Sequence, residues 1–290
     1  MSILLEVVEL GSLSAAARRR NMPLATVSRK VSDLEAHLRA RLFNRSTRRL
    51  TLTDAGRSYV ANARRILDEV NEAERAAAGE YSAPRGELVI TAPVMFGRLH
   101  MLPVITAFLR TYPDVSVRLL LEDRQAHLLE DHVDLAVRIA PLADSSLVAL
   151  RFGTIRRVVC ASPAYLAKNG TPQTPDMLAE HDCINFLSSG SSKVWTFGCG
   201  KLQSEILVRS RLFVTTAEAA LDAAIEGSGL ARLLSYQVAQ AVRDGTLEVV
   251  LEAFEPPPWP IHLLHAGQDL MPLKLRALLD FAGPRLRQEL

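Results

Sequence analysis

Apolar and polar residues alternate with three different periods along this chain, and the changes of period mark its parts. In the first sixty positions the period is helical. Val27, Val31, Leu34 and Leu38 give one apolar face to a helix that starts near Pro23 and ends about Arg39. Before it, Ser12-Leu13-Ser14 offers N-cap chemistry to the run Ala15-Ala16-Ala17, and Arg18, Arg19, Arg20 and Asn21 close that first helix. Asn21 suits the turn between the two, and Pro23 suits the first turn of the second helix. After Arg41-Leu42-Phe43 the basic stretch Asn44 to Arg49 leads into Leu50-Thr51-Leu52-Thr53, whose alternation predicts a half-buried strand and hence a hairpin.

From Thr53-Asp54 the helical period returns and runs to about Glu80. Val60, Ala63, Leu67, Val70, Ala77 and Tyr81 form a near-heptad seam broken by Glu74. A lone helix cannot bury such a seam, so pairing with a second copy is expected, packing on its own body being the alternative. Ser82-Ala83-Pro84-Arg85-Gly86 reads as a hinge.

Beyond the hinge, strands and helices alternate. Strands are predicted at 88–91, 115–121 and 135–139, with helices at about 97–111 and 125–132 between them. Leu99, Leu102, Ile105, Phe108 and Leu109 are the expected core face of the longer helix. Leu147 to Ala161 reads as strand material, Thr215-Thr216-Ala217-Glu218 opens a helix, 230–234 and 261–265 are strand-like, and Pro272 to Leu290 closes the chain as a helix. The prolines from 256 to 260 read as a stiff linker. Such alternation implies βαβ units and wound sheets, an α/β fold.

The charge distribution adds what the pattern cannot. The whole chain of 290 residues has a formal charge of only +2, but residues 1–60 hold 11 Lys and Arg against 5 Asp and Glu, whereas the remainder is net acidic. A basic end on a mildly acidic body is the footprint of an anion-binding module joined to a regulatory or catalytic one. The length suits about two domains. The three cysteines, Cys160, Cys183 and Cys199, form no CxxC pair, and their odd number argues against a disulfide framework; free thiols in a reducing cytoplasm are expected. No basic n-region precedes an apolar run at Met1–Leu10, and no apolar run is long enough for a membrane span, so neither secretion nor a membrane is expected.

Two short helices joined by a tight turn, the second with polar residues at its start, make a helix-turn-helix, whose second helix enters the major groove of DNA. Pro23, Leu24, Thr26, Val27, Ser28, Arg29 and Lys30 are the candidate contacts on that helix. Arg45, Arg48 and Arg49, on the hairpin, form a wing that can reach phosphates or a narrow minor groove. The residues Gly11-Ser12, Ala15-Ala16-Ala17-Arg18, Val27-Ser28-Arg29, Leu34-Glu35, Arg41-Leu42-Phe43, Arg45 and Leu52-Thr53-Asp54-Ala55-Gly56 resemble, in order and spacing, the LysR-type transcriptional regulators. The family often carries Ser-Gln-Pro-Ala where Pro23-Leu24-Ala25-Thr26 stand here, so Leu24 replaces a base-reading glutamine and offers only apolar contact, for example to a thymine methyl. Arg20 stands where a leucine is usual. The first helix is also shorter than the family's, which raises a native start upstream of Met1.

The resemblance implies an architecture: a winged helix-turn-helix DNA-binding domain at 1–53, a linker helix for dimerisation at 54–81, and an effector-binding domain at 86–290. The last would resemble the two-lobed periplasmic-binding-protein fold, with lobe I at about 87–160 plus 266–290 and lobe II at about 161–265. It further implies a homodimer, assembling as a homotetramer, in the cytoplasm, on double-stranded DNA, with RNA polymerase a further partner left open.

In open α/β sheets, ligands sit beyond the carboxyl ends of strands, where helix N-termini offer free N–H groups. That rule selects Thr91, Pro93, Val94 and Met95, then Glu122 and Asp123, then Arg138 and Ile139, and finally Thr215 and Thr216 before a later helix. The threonines could offer hydroxyls or could only cap their helices; Arg138 could clamp a carboxylate or sit in an ion pair. A small-molecule effector is expected there, of unreadable identity, and no cofactor or metal. There is no Walker loop, GxGxxG after a strand, GxSxG or HExxH, and His262 and His265 are three apart in a strand, hence on opposite faces. Two other readings stay open at this point: a solute-binding protein of the periplasmic type, and an enzyme carrying an operator-binding module.

Overall fold

The computed structural model describes residues 1–46, 49–77, 83–123, 133–142, 147–186, 193–200, 203–267 and 271–289. It divides into two compact units, Met1–Ala83 and Pro84–Leu290. The hairpin residue Arg48 and the helix expected at 125–132 lie outside the described residues.

The first unit contains α1 (Ser2–Glu9), α2 (Leu13–Arg19), α3 (Leu24–Leu38), β1 (Phe43–Ser46), β2 (Arg49–Leu52) and α4 (Asp54–Ala77). Leu4, Val7, Ala16, Ala17, Val27, Val31, Leu42, Phe43 and Val60 form its core. The Ser12 hydroxyl accepts a bond from the Ala15 N–H at 3.3 Å and starts α2. Pro23 stands one position earlier than expected, at the N-cap of α3, where its carbonyl accepts from the N–H groups of Thr26 and Val27. Arg39, with φ +50°, turns the chain out of α3. One carboxylate oxygen of Glu35 then accepts from the N–H groups of Leu42 at 2.7 Å and Phe43 at 3.1 Å, fastening α3 to the root of the wing. β1 and β2 pair antiparallel, Phe43 opposite Leu52. The Thr53 hydroxyl caps α4 by accepting from Gly56 N–H and donates to the Arg41 carbonyl.

Glu6 is buried among these apolar residues. It accepts a bond from Arg20 and faces Arg19 at 3.4 Å. That contact accounts for an arginine at position 20: with Arg19 it neutralises a carboxylate buried beside the core. The seam of α4 divides. Val60 and Ala63 are buried, Leu67 is half-buried and Val70 is 45% exposed, with Ile66, outside the expected seam, 38% exposed beside it.

The second unit is built on two five-stranded sheets. Lobe I contains β3 (Gly86–Ala92), β4 (Val115–Leu121), β5 (Leu135–Ile139) and β6 (Leu147–Ile155). Lobe II contains β7 (Arg157–Ala161), β8 (Cys183–Phe186), a hairpin of β9 (Val194–Phe197) and β10 (Ser204–Leu207), then β11 (Ser210–Val214), β12 (Leu230–Leu234) and β13 (Glu248–Val250). β14 (Trp259–Ala266) returns to lobe I. The orders are β4-β3-β5-β14-β6 and β11-β8-β12-β7-β13. β3 is parallel to β4 and β5, and β8 is parallel to β11 and β12, as βαβ units require. β14 and β7 run antiparallel to their neighbours, so both sheets are mixed.

These pairings move the lobe boundaries. The strand material of 147–161 splits at Arg156, with β6 in lobe I and β7 in lobe II. The return falls at residues 251–258, so β14 belongs to lobe I rather than lobe II. Trp259 and Pro260, read as linker, begin that strand; a register shift between Ile261 and His262 lets the ladder accommodate the start.

The helices are α5 (Val94–Phe96), α6 (Leu102–Thr111), α7 (Pro163–Asn169), α8 (Ala217–Ile225), α9 (Ser235–Arg243) and α10 (Leu273–Glu289). Between α5 and α6 lies a π-helical turn, Gly97–Met101. The wider turn rotates the following face, so Met101, Val104, Ile105 and Phe108 are buried while Leu99 and Leu102, expected in the core, are exposed. Gly97 permits the close packing there, since a Cβ would fall 2.1 Å from Leu121 Cδ2. One apolar cluster runs through both lobes, from Phe96 and Phe108 to Val158, Ala217 and Tyr236.

Candidate nucleic-acid interface and effector cleft

On α3 the residues sort by helical phase. Val27 and Val31 point into the core, while Pro23, Leu24, Ser28, Arg29 and Lys30 are exposed and Thr26 is half-buried. Val27 is therefore a correction: it is fully buried against α1 and α2 and has no surface to offer a base. Leu24 is half exposed. A recess of about 480 Å³ opens beside it, lined by Ser14, Arg18, Asn21, Pro23 and Leu24. Arg45 and Arg49 lie on β1 and β2, at the positions expected of a wing.

The residues selected beyond the strand ends of lobe I are placed as follows. Thr91 is fully buried at the end of β3, and its hydroxyl has no hydrogen-bond partner among the described residues. Pro93 and Val94 are half-buried, but Met95 is 3% exposed and is a second correction: it packs in the core. The free N–H expected at the start of α5 is already taken, because Val94 N–H donates to the Asp123 carboxylate at 3.1 Å. Glu122, Arg138 and Ile139 are half-buried. Burial pulls the Arg138 guanidinium below its ordinary range, and the nearby Glu122 opposes that. In lobe II, Thr215 and Thr216 are exposed, and Thr216 caps α8 through Ala219 N–H at 3.3 Å.

The sequence did not flag the groups that join the lobes. Tyr236, at the start of α9, stacks edge-on against Phe96 at 5.5 Å and His100 at 5.6 Å, and Phe96 meets Phe152. Gln237 donates to its hydroxyl at 3.4 Å. Burial pushes the Tyr236 phenol well above its usual range, and the carboxylates of Asp123 in lobe I and Glu218 in lobe II push it further. Glu218 has one buried carboxylate oxygen without a partner among the described residues. Lone aromatics at helix starts carry no sequence signature, and only the meeting of two lobes gives Tyr236 its neighbours.

Residues 1–57 match the model of the bacterial regulatory helix-turn-helix protein, lysR family, and residues 82–287 match that of the LysR substrate binding domain. The chain belongs to the LysR family of transcriptional regulators. It is 32% identical over 289 residues to the probable HTH-type transcriptional regulator LtrA of Klebsiella pneumoniae, covering 97% of this chain and 92% of that one. Among solved structures it is similar to CrgA, a LysR-type transcriptional regulator from Neisseria meningitidis, with 31% identity, a TM-score of 0.64, and coverage of 98% and 97%. It is also similar to the full-length Vibrio cholerae virulence activator AphB, with 27% identity, a TM-score of 0.63, and coverage of 97% and 96%. A LysR-type chain with both domains is a DNA-binding transcriptional regulator with an effector-binding domain, so the solute-binding reading gives way. The similar proteins are transcriptional regulators, not enzymes. No described helix is long and apolar enough to cross a membrane.

Proposed function

We propose that this regulator reads its operator with the exposed start of α3 and answers a small molecule held between its lobes. Leu24, Thr26, Ser28, Arg29 and Lys30 face base edges and phosphates, and Pro23 sets their approach. Arg45, Arg48 and Arg49 supply the wing. The observation that carries the reading is the phase of α3: Val27 and Val31 buried, with Leu34 and Leu38 half-buried behind them, against an exposed Leu24-Ser28-Arg29-Lys30 side. The effector lies among Thr91, Pro93, Val94, Glu122, Arg138, Ile139, Thr215 and Thr216, with Asp123, Glu218 and Tyr236 around it. Two copies pair through α4, dimers assemble as a tetramer, and the complex works in the cytoplasm, changing promoter output through RNA polymerase.

Footprinting of the purified protein on DNA upstream of its own gene tests the reading. A protected inverted repeat at nanomolar protein is expected. Arg29→Ala should weaken binding to operator and random DNA and reduce the slope of log K against log salt by about 0.9 for each phosphate left without its arginine. An unaltered slope and affinity would remove Arg29 from the interface. Protection that spreads uniformly and vanishes on modest addition of salt would overturn sequence-specific reading.

A further inference from the structure

Lobe II holds a second polar cluster, on the face of its sheet away from α8 and Tyr236. On β7, Val159 and Ala161 pack with Trp195 and Phe197 of the β9–β10 hairpin, and strand alternation puts Arg157 on that face. On β12, Leu230 joins the same cluster, and Arg232 follows two positions later. On β8, Cys183 joins it and Asn185 follows two positions later. The register brings the three together. Leu230 pairs with Cys183 and Ala231 with Ile184, so the next step sets Arg232 beside Asn185. Arg232 pairs with Val159 and Leu234 with Arg157, so Arg157 is the diagonal neighbour of Arg232.

Each of the three carries a buried nitrogen without a hydrogen-bond partner among the described residues: Asn185 Nδ2, Arg232 Nη1 and Arg157 Nε. Asn185 is only 3% exposed. Neither guanidinium has a carboxylate against it among the described residues. Burial, and then the charge of Arg157, brings the Arg232 guanidinium down to about 10; burial lowers that of Arg157. Each stacks on an indole: Arg157 over Trp259 at 4.4 Å, and Arg232 over Trp195 at 5.2 Å. Cation–π contact offsets only part of desolvating a guanidinium, and it leaves the in-plane N–H donors unused. Two half-buried cations and a buried amide on one face, each with a nitrogen that has no acceptor among the described residues, suit an anion, and guanidinium forks match the oxygens of carboxylate and phosphate groups.

We propose that Asn185, Arg157 and Arg232 form a binding site for a small oxyanion, a carboxylate or phosphate group, under the β9–β10 hairpin and separate from the effector cleft. Trp259 begins the strand that returns to lobe I, so occupancy of this site acts on the connection between the lobes as well as on lobe II.

The two tryptophans of the chain are the two that flank the site, so intrinsic fluorescence reports on it directly. The full-length protein is titrated with sodium phosphate and, separately, sodium acetate, at constant ionic strength set with sodium chloride, while emission and melting temperature are followed. A saturable change in emission, with a melting temperature that climbs with anion concentration, is expected for at least one of them. Response to phosphate alone assigns a phosphoryl ligand, to acetate alone a carboxylate, and to both an unselective oxyanion site. Arg232→Met and Arg157→Met should each abolish the response, whereas Thr91→Val, in the cleft, should retain it. Arg232→Met should melt no lower than the parent without added anion, because it removes a buried unpaired charge, so its silence would not be unfolding. Absence of a saturable response to either anion, or a response that survives Arg232→Met, would overturn the site.

Discussion

Single side chains in this protein behave according to the company that burial gives them. Cys160 and Cys183 lie in the lobe II sheet, and desolvation pushes both thiols up to about 12, with Asp182 adding to the effect at Cys183. A raised thiol pKa means that the reactive thiolate is scarce at neutral pH, roughly one part in ten thousand at pH 8. Cys199 is exposed. One thiol per chain should therefore react promptly with a disulfide reagent in the native protein at pH 8, and three after denaturation. Prompt labelling of two or three in native buffer would contradict the burial. At this scale the sequence was legible for α3, where phase alone separates Val31 from Arg29. The same phase places Val27 inside, and only its position within a motif of contact residues suggested otherwise. The sequence was silent for Asn185 and Arg232, because an isolated polar residue in an apolar strand looks the same whether it meets solvent, a partner or a ligand.

Elements were easier to foresee than their connections. Capping chemistry and period located α2, α3 and the start of α4 to within a residue or two, while α1 was not read from the pattern. The close of that unit depends on Gly56: a Cβ there would fall 2.1 Å from the Leu42 carbonyl oxygen, a backbone atom that cannot swing aside. Gly56→Ala should destabilise the winged unit by about 3 kcal/mol, as overpacking against fixed atoms does, and abolish operator binding. Chemical denaturation followed by circular dichroism checks this, and a loss under about 1 kcal/mol would show that α4 can shift aside. The break at Arg156 was invisible for a different reason. β6 and β7 are both extended and apolar, no glycine or proline separates them, and only their partners across the sheets show that they lie in different lobes. The π-helical turn was equally hidden, since one residue added to a turn leaves no mark in composition, only the unexpected exposure of Leu99 and Leu102.

For the whole molecule, the split seam of α4 has a measurable outcome. Its first turns belong to the winged core through Val60 and Ala63, so charges introduced there would unfold the unit. Ile66 and Val70 present apolar surface beyond it, and on the proposed pairing through α4 that surface meets the second copy. The double substitution Ile66→Glu with Val70→Glu should shift sedimentation toward monomer at micromolar protein while leaving the melting temperature of the effector-binding unit within about 2 °C. An unchanged oligomer would place the pairing surface elsewhere.

The lobes are tied by two strands of chain, one at Arg156 and one over 251–258, with the Phe96–Tyr236 packing between them. Two threads between two bodies define a line, and turning about that line is the motion that strains neither thread. On the proposed function, what a molecule held between the lobes sets is thereby a single number, an angle. Chemically unlike molecules that set the same angle become synonyms at the output, so the vocabulary of this scaffold can widen by changes in its cleft without any change in what the rest of the chain must understand.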